Sequence, residues 1–592
     1  MKFTLAHVTH EAVEHIGGIG TVLHGFMTSP VYQEHVRRSI LVGPTSTEIA
    51  VEPEGRLGEH GRVIYSSVDK IDHANLGTRL RPIEGAFKVR IVYGTRRYQN
   101  PITGQDGEAE ILLIDVFGVN HDRLNVFKLR LWETFGLDSS RYEGAWDYEE
   151  YVRLAEPAHY ALRALMTPDD LPCIVMSHEF MGMPTALATI LDSSDQFRSI
   201  FYAHECATAR RIVEDHQGHD TMFYNVLYQA RNDGLFLEEV FGSQDHLLRH
   251  ALVRRSHLCD GVIAVGDRTR DELLFLHDDY RSCPVDLVFN GVPSGPVTLE
   301  EKRRSRARLA EYAQRLVGFK PEVLMTHVTR PVISKGLWRD LKVCHELDHH
   351  FAAQNRTFVL FVLTSGGGVR REQDVLAMER HYGWPVAHHP GYPDLVGPEV
   401  QIHEDIDAYN HSHTASRIIL VNQFGWSPQR IGSRLPEGMT MTDLRLATDV
   451  EFGMATYEPF GISPLEPLGA GAICVISNVC GCRAFVENVS QGQGGDNVIC
   501  ADFTSLRQPL PIEELTAMTQ QQRDDIEDHV AAEVADQLLR RLPINDRQRA
   551  TLIDSGQALV AAMGWDNVVG SSLVPAMEHA VTSPRPDTMA TA

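Results

Sequence analysis

The run Tyr457-Glu458-Pro459-Phe460-Gly461-Ile462-Ser463-Pro464-Leu465-Glu466 carries the pair of carboxylates best placed to do chemistry. It lies between two apolar runs, Val450–Ala455 and Ile473–Ser477, so it reads as a strand–loop–helix turn. Gly461 lets the backbone approach a ligand closely, and Ser463 followed by Pro464 suits a helix N-cap and first turn. Free amides at such a helix start bind anions, a diphosphate among them. Tyr457 and Ile462 flank the mouth of the turn, Glu458 closes the strand end, and Glu466 lies on the new helix a turn or so behind. The two carboxylates can therefore serve different parts of one ligand.

A second constellation, Thr329-Arg330-Pro331-Val332-Ile333-Ser334-Lys335-Gly336, follows the apolar run Val323–Val328. Fixed cations such as Arg330 and Lys335 at a strand's carboxyl end stabilise negative charge that develops as a phosphate leaving group departs. Near the N-terminus, His15-Ile16-Gly17-Gly18-Ile19-Gly20 follows the run Phe3–Val8. The amides of Gly17 and Gly18 are open to a phosphate, and His15 would stand beside it as a titratable group. Ser177-His178-Glu179-Phe180 follows Cys173–Ser177, and Ala203-His204-Glu205 ends the next run, so His178 and His204 are candidates to contact a ligand. Asn290 lies at the end of a later one, in Phe289-Asn290-Gly291-Val292.

These residues need elements to hold them. Short Val/Ile/Leu-rich runs alternate with helical patterns, the mark of parallel α/β layers. The first half gives Phe3–Val8, Ser39–Val42, Val89–Tyr93, Ile111–Val116, Cys173–Ser177, Ser199–Ala203, Gly261–Val265 and Leu287–Phe289 as strands. A second series follows with Val323–Val328, Phe358–Leu363, Ile418–Val421, Val450–Ala455, Ile473–Ser477 and Val498–Ala501. The expected class is α/β, with two Rossmann-like domains facing a central cleft. The first spans 1–293, the second 294–565 with C-terminal helices, and 580–592 forms a flexible tail. Turn-forming residues 290–296 mark the break. Ligands of open parallel sheets bind beyond the carboxyl ends of the strands, so facing sheets place one site in the cleft.

Composition narrows the function classes. The 592 residues carry 79 acids against 55 Lys and Arg, a net charge of -24, which argues against nucleic acid or an anionic membrane as the main partner. No apolar run is long enough to cross a bilayer, and the N-terminus lacks the apolar core of a signal peptide. Nine scattered cysteines suit reduced thiols, so a cytoplasmic location is expected. His345-Glu346-Leu347-Asp348-His349 spells a zinc-protease pattern, but it falls on a helix the α/β series already needs for packing, and no metal is expected. His403, His411 and His413 read as a polar surface loop, and Glu300–Arg308 as a solvated basic helix face.

The 457–471 stretch resembles the Glu-x7-Glu signature of retaining glycosyltransferases of the GT-B fold. Its flanks, Tyr457-Glu458-Pro459-Phe460-Gly461 and Gly471-Ala472-Ile473-Cys474-Val475-Ile476-Ser477-Asn478, are similar to glycogen synthases. The pair Arg330 and Lys335 matches that family's Arg-x4-Lys, and Ser177–Met183 resembles its His-Glu-Trp-Met-Ala-Gly element, with Phe180 for tryptophan. The run Gly17–Leu23 is closer to the animal and fungal enzymes than to the bacterial ones, with His15 where the family has lysine.

The resemblance implies glucose transfer from a nucleotide-sugar, UDP-glucose or ADP-glucose, to an α-glucan. Arg330, Lys335 and Gly461 would hold the diphosphate, Glu466 the ribose, and Glu458 and His178 the sugar. Gly17, Gly18 and His15 would meet the donor from the N-terminal domain as the domains close. No cofactor is implied, and homo-oligomers are compatible with it. Transfer to a small acceptor, a sugar or sugar phosphate, shares every donor-side residue, and a non-catalytic glucan-binding regulator is the remaining alternative.

Overall fold

A computed structural model describes residues 2–13, 17–45, 53–192, 194–216, 218–293, 295–492 and 495–586. The chain divides into two compact units. The first holds residues 1–209, 230–291 and 565 onward, and the second holds 210–229 and 292–564.

The first unit is built on ten described strands: β1 (Phe3–Val8), β2 (Val36–Pro44), β3 (Gly61–Ser66), β4 (Ile71–Asp72), β5 (Arg90–Gln99), β6 (Asp106–Asp115), β7 (Cys173–His178), β8 (Phe197–Ala203), β9 (Gly261–Ala264) and β10 (Val285–Leu287). They lie in the order β10-β9-β8-β7-β1-β2-β6-β5-β3-β4. Strands β10 to β6 of that order are parallel, and the edge β6-β5-β3-β4 is antiparallel. All six residues of β1 and of β7 are buried, as expected of central parallel strands covered on both faces. The antiparallel pair β3–β4 has no counterpart in the apolar runs. Strand β3 opens on Gly-Arg and buries only Val63, Tyr65 and Ser66, and β4 is two half-buried residues at the sheet edge, so neither shows as a continuous apolar run.

The second unit holds β11 (Val323–Val328), β12 (Phe358–Leu363), β13 (Ser416–Val421), β14 (Val450–Gly453), β15 (Ile473–Ser477) and β16 (Val498–Ala501). All pair in parallel, in the order β13-β12-β11-β14-β15-β16. Numbered within the unit this is 3-2-1-4-5-6, the doubly wound dinucleotide-fold order, with its reversal between β11 and β14.

Two chain segments depart from the division expected at 293/294. Residues 210–229 join the second unit through Asp220, whose carboxylate takes two hydrogen bonds from Arg339 (2.9 and 2.7 Å). From Trp565 the chain belongs to the first unit: the indole packs edge-on to Phe26 at 5.3 Å, in space a Cβ on Gly25 would fill. The expected flexible tail at 580–592 is corrected over its described part. Val574–Thr582 is helical, Ala580 is buried, and Arg585 donates to the carbonyls of Ser194 and Phe197 (2.7 and 2.8 Å). A helix face apolar enough to bury and an arginine able to bind two carbonyls hold this stretch down. Among the described residues no helix is long and apolar enough to cross a membrane.

Candidate functional site

The reversal point of the second sheet places the loops after β11 and β14 side by side. The amides of Thr456 and Tyr457 donate to the carbonyl of Ser334 (2.8 and 3.2 Å), tying the two loops together. Lys335 Nζ then donates to Glu458 Oε2 at 2.6 Å, with the side chains 11% and 17% exposed. Arg330 is exposed on the same loop and has no ion-pair partner among the described residues. One cation is thus held by a carboxylate and one is open, at the edge where open α/β sheets take their ligands.

The loop from Glu458 is fixed from behind by Cys480-Gly481-Cys482. Gly481 N–H donates to Glu458 O (2.9 Å) and Cys482 N–H to Phe460 O (2.8 Å). Gly461 has φ +90, and a Cβ there would lie 2.8 Å from Cys480 Sγ, so glycine is required by conformation and by space. Tyr457 is buried and Ile462 half-buried.

The helix expected from Ser463 is corrected. Residues Ser463–Leu465 and Leu468–Ala470 form two separate 3-10 turns, because Pro467 removes an amide and blocks continuation. Ser463 caps no amide; its hydroxyl donates to Val328 O at 2.8 Å. Glu466 is held by Arg445 Nε at 2.8 Å, and Arg445 also reaches Ser463 Oγ (2.9 Å) and Glu451 Oε1 (3.0 Å). Sequence reasoning misses Arg445, which carries no motif on its short helix Met441–Ala447. Glu451 could have been found, as an acid inside an otherwise apolar strand. It is buried, and Thr326 Oγ1 and Val328 N–H both donate to it.

In the first sheet the order turns back between β7 and β1. Here His178 is fully buried with both ring nitrogens in use: Nε2 lies 3.0 Å from His7 Nδ1 and Nδ1 lies 2.8 Å from His204 Nε2. His7 Nε2 continues to Tyr32 Oη at 3.0 Å, and Tyr32 to Ser39 Oγ at 2.9 Å. Burial holds His7 down to about 3, and His178 well below the ordinary histidine range, with His204, His7 and His10 adding to it. His178, expected to contact a ligand, has both ring nitrogens engaged within the protein in this arrangement. His204 is half-buried, and burial together with His10 holds it to about 3. Its Nδ1 bonds to no described residue.

Gly17 and Gly18 are exposed at the start of the helix Gly18–Met27. Glu11 reaches that helix start: its Oε2 accepts from Gly20 N–H at 2.8 Å, and its Oε1 lies 3.1 Å from where a Cβ on Gly17 would be. His15 lies outside the described residues. Asn290 is buried, its Oδ1 without a hydrogen-bond partner among the described residues.

The basic helix Leu299–Val317 is solvated on one side only, where Glu300, Arg303 and Arg304 are exposed. Lys302 is buried and donates to Thr448 O, while Arg306 and Arg308 pair with Asp449 and Asp443 (2.7 and 3.0 Å). His403 and His411 lie on the helix Glu399–Ser412 rather than a loop. His413 stacks on Tyr409 (3.9 Å) and lies 2.8 Å from His345 Nδ1. Among the described residues no three His, Cys, Asp or Glu are grouped to hold a metal.

No protein-family model and no curated protein sequence matches this chain. Solved structures do match it in shape. A trehalose-6-phosphate structure from E. coli bound with UDP-2-fluoro glucose is 12% identical, over 98% of this chain and 100% of that one, at TM-score 0.50. The catalytic domain of starch synthase IV from Arabidopsis thaliana, bound to ADP and acarbose, is 13% identical over 98% and 100%, at 0.50. The N-terminal domain of trehalose-6-phosphate phosphatase from Candida albicans is 11% identical over 98% and 97%, at 0.51. At these identities the likeness is one of fold. The chain is an α/β protein with two sheet-based domains and the GT-B fold.

Proposed function

We propose that this chain is a retaining glycosyltransferase that moves glucose from a nucleotide-sugar to an α-glucan, in the manner of the glycogen synthases its motifs resemble. The observation that carries the reading is the meeting of Lys335 and Glu458, beside the open Arg330, at the reversal point of the second sheet. A departing nucleoside diphosphate needs fixed positive charge, and a sugar ring developing positive charge needs a carboxylate nearby; this edge supplies both. Arg330 and Lys335 take the diphosphate, Lys335 leaving Glu458 for it. Glu466, with Arg445 gripping one oxygen, has Oε1 to offer the ribose hydroxyls. The bond from the sugar's anomeric carbon to the diphosphate breaks, and the acceptor hydroxyl bonds to the same carbon from the same face. Its proton passes to the departing phosphate, and the α configuration is kept.

Transfer to a small sugar or sugar phosphate is the second reading, favoured by the trehalose-6-phosphate structures standing as near in fold as the starch synthase. The test is nucleotide release from UDP-glucose and ADP-glucose, with glycogen or with glucose 6-phosphate, for wild type and Glu458→Ala. Glycogen-dependent release of one nucleotide, lost in the variant, supports the polymerising enzyme and names the donor. Release dependent on the sugar phosphate moves the assignment to the second reading, and no release from either donor sinks both.

A further inference from the structure

We propose that His204 carries the ligand-facing nitrogen of the first unit, and that His178, His7 and Tyr32 form a relay behind it that sets whether this nitrogen donates or accepts a hydrogen bond. Only the ligand's identity, a sugar hydroxyl, rests on the glycosyl-transfer reading; the relay belongs to the protein alone.

A neutral imidazole has one N–H and one lone pair. The three rings meet at nitrogen–nitrogen distances of 3.0 and 2.8 Å, and each contact needs one proton, no more and no fewer. Burial of His7 and His178, and of His204 in part with His10 beside it, disfavours any imidazolium, so the protons must run in series. Two arrangements satisfy every contact. In one, all three rings carry the proton on Nε2: His204 donates to His178, His178 to His7, His7 to Tyr32 and Tyr32 to Ser39. His204 Nδ1 is then an acceptor. In the other, the chain runs back from Ser39, all three rings carry the proton on Nδ1, and His204 Nδ1 is a donor. Any single ring in the opposite tautomer would leave two lone pairs or two protons facing each other in the interior, a cost on the scale of an unmade buried hydrogen bond.

Tyr32 and Ser39 terminate the chain with hydroxyls, which can rotate to suit either direction. A sugar hydroxyl also donates or accepts, so the relay lets one nitrogen accept a hydrogen bond from a hydroxyl or give one to it without charging the interior. The backbone of His204 is fixed independently, because its amide and that of Glu205 (2.6 Å) both donate to Glu179 Oε1. The ring of Tyr202 packs 4.4 Å from the His204 ring. His10, Glu205 and Arg249 are the other titratable or charged groups around this end.

The test uses the full chain with no ligand. Neutral histidine tautomers have distinct ring 15N shifts, so 15N-histidine protein should show His7, His178 and His204 in one common tautomer or exchanging together. Tyr32→Phe should move the His204 ring resonances, whereas Tyr280→Phe, an equal loss of a buried hydroxyl elsewhere in the unit, should not. Ser39→Ala repeats the test with a smaller change if Tyr32→Phe does not fold. Carbethoxylation mapped by mass spectrometry should label His204 and spare His178 and His7.

Mixed tautomers within the chain, His204 resonances indifferent to both substitutions, or labelling of His178 ahead of His204 would overturn the proposal. In turnover, His204→Ala should lose about 100-fold and Tyr32→Phe about 10-fold, with the loss in kcat. A wild-type chain with coupled tautomers and selective labelling that releases nucleotide from no sugar donor keeps the relay and removes the glycosyl-transfer reading instead.

Discussion

At the scale of single residues, the pair Lys335–Glu458 has a consequence opposite in sign for binding and for turnover. In the unliganded protein Glu458 neutralises the lysine at 2.6 Å, so a diphosphate must displace a carboxylate to reach it. Glu458→Gln should therefore bind UDP or ADP severalfold more tightly by calorimetry while losing about 100-fold or more in turnover. Lys335→Ala should lose both. If Glu458→Gln weakens nucleotide binding, Lys335 is not the diphosphate's partner. The positions of Glu458, Arg330 and Lys335 at strand ends can be read from sequence because each stands just past an apolar run. Arg445, Glu11 and His7 cannot be read that way. Their partners Glu466, Gly20 and His178 come from other elements, and no spacing rule links them.

At the scale of elements, the loop that carries Glu458 depends on two glycines. A Cβ on Gly481 would lie 1.8 Å from the carbonyl of Pro459, and one on Gly461 would meet Cys480 at a φ of +90. Gly481→Ala must push the 458–460 backbone away, so it should lower turnover at least 10-fold while the far unit's unfolding is unchanged. Gly461→Ala should cost about 1–2 kcal/mol of second-unit stability, read by urea denaturation, from backbone strain together with the clash. Four strands of this unit, β11, β12, β15 and β16, coincide with their apolar runs residue for residue, because central parallel strands covered on both faces are mostly apolar, β12 being so at all six positions. The 3-10 turns after Gly461 escape the same reading. A Ser-Pro start promises a helix, and only the second proline three residues on cancels it.

At the scale of the molecule, stability should depend on pH through buried histidines more than through carboxylates. His7 and His204 are held to about 3, and His250 to about 4, in each case chiefly by burial. An unfolded histidine titrates near 6.5, so the unfolded chain takes up these protons first. The stability tied to each neutral ring is whole above pH 6.5. It is lost as pH falls from there towards the folded value, at about 1.4 kcal/mol per pH unit per ring. Between pH 6.5 and 5 the three rings together should cost the first unit about 5 kcal/mol. Glu179 works the other way: burial, with Glu205 beside it, holds it well above the carboxylate range, so its protonation relieves the fold as pH drops. The second unit holds His219, lowered to about 3 by burial with Arg523 and Arg339 adding to it, and should lose about one ring's worth. Hydrogen exchange on peptides from β1 and β7 against peptides from β11 and β14, at pH 6.5 and 5, reads the two units separately. The first should open more readily at pH 5, and His7→Gln should flatten its dependence by about one proton. Equal loss in both units would mean that His7, His204 and His250 are not held neutral by burial.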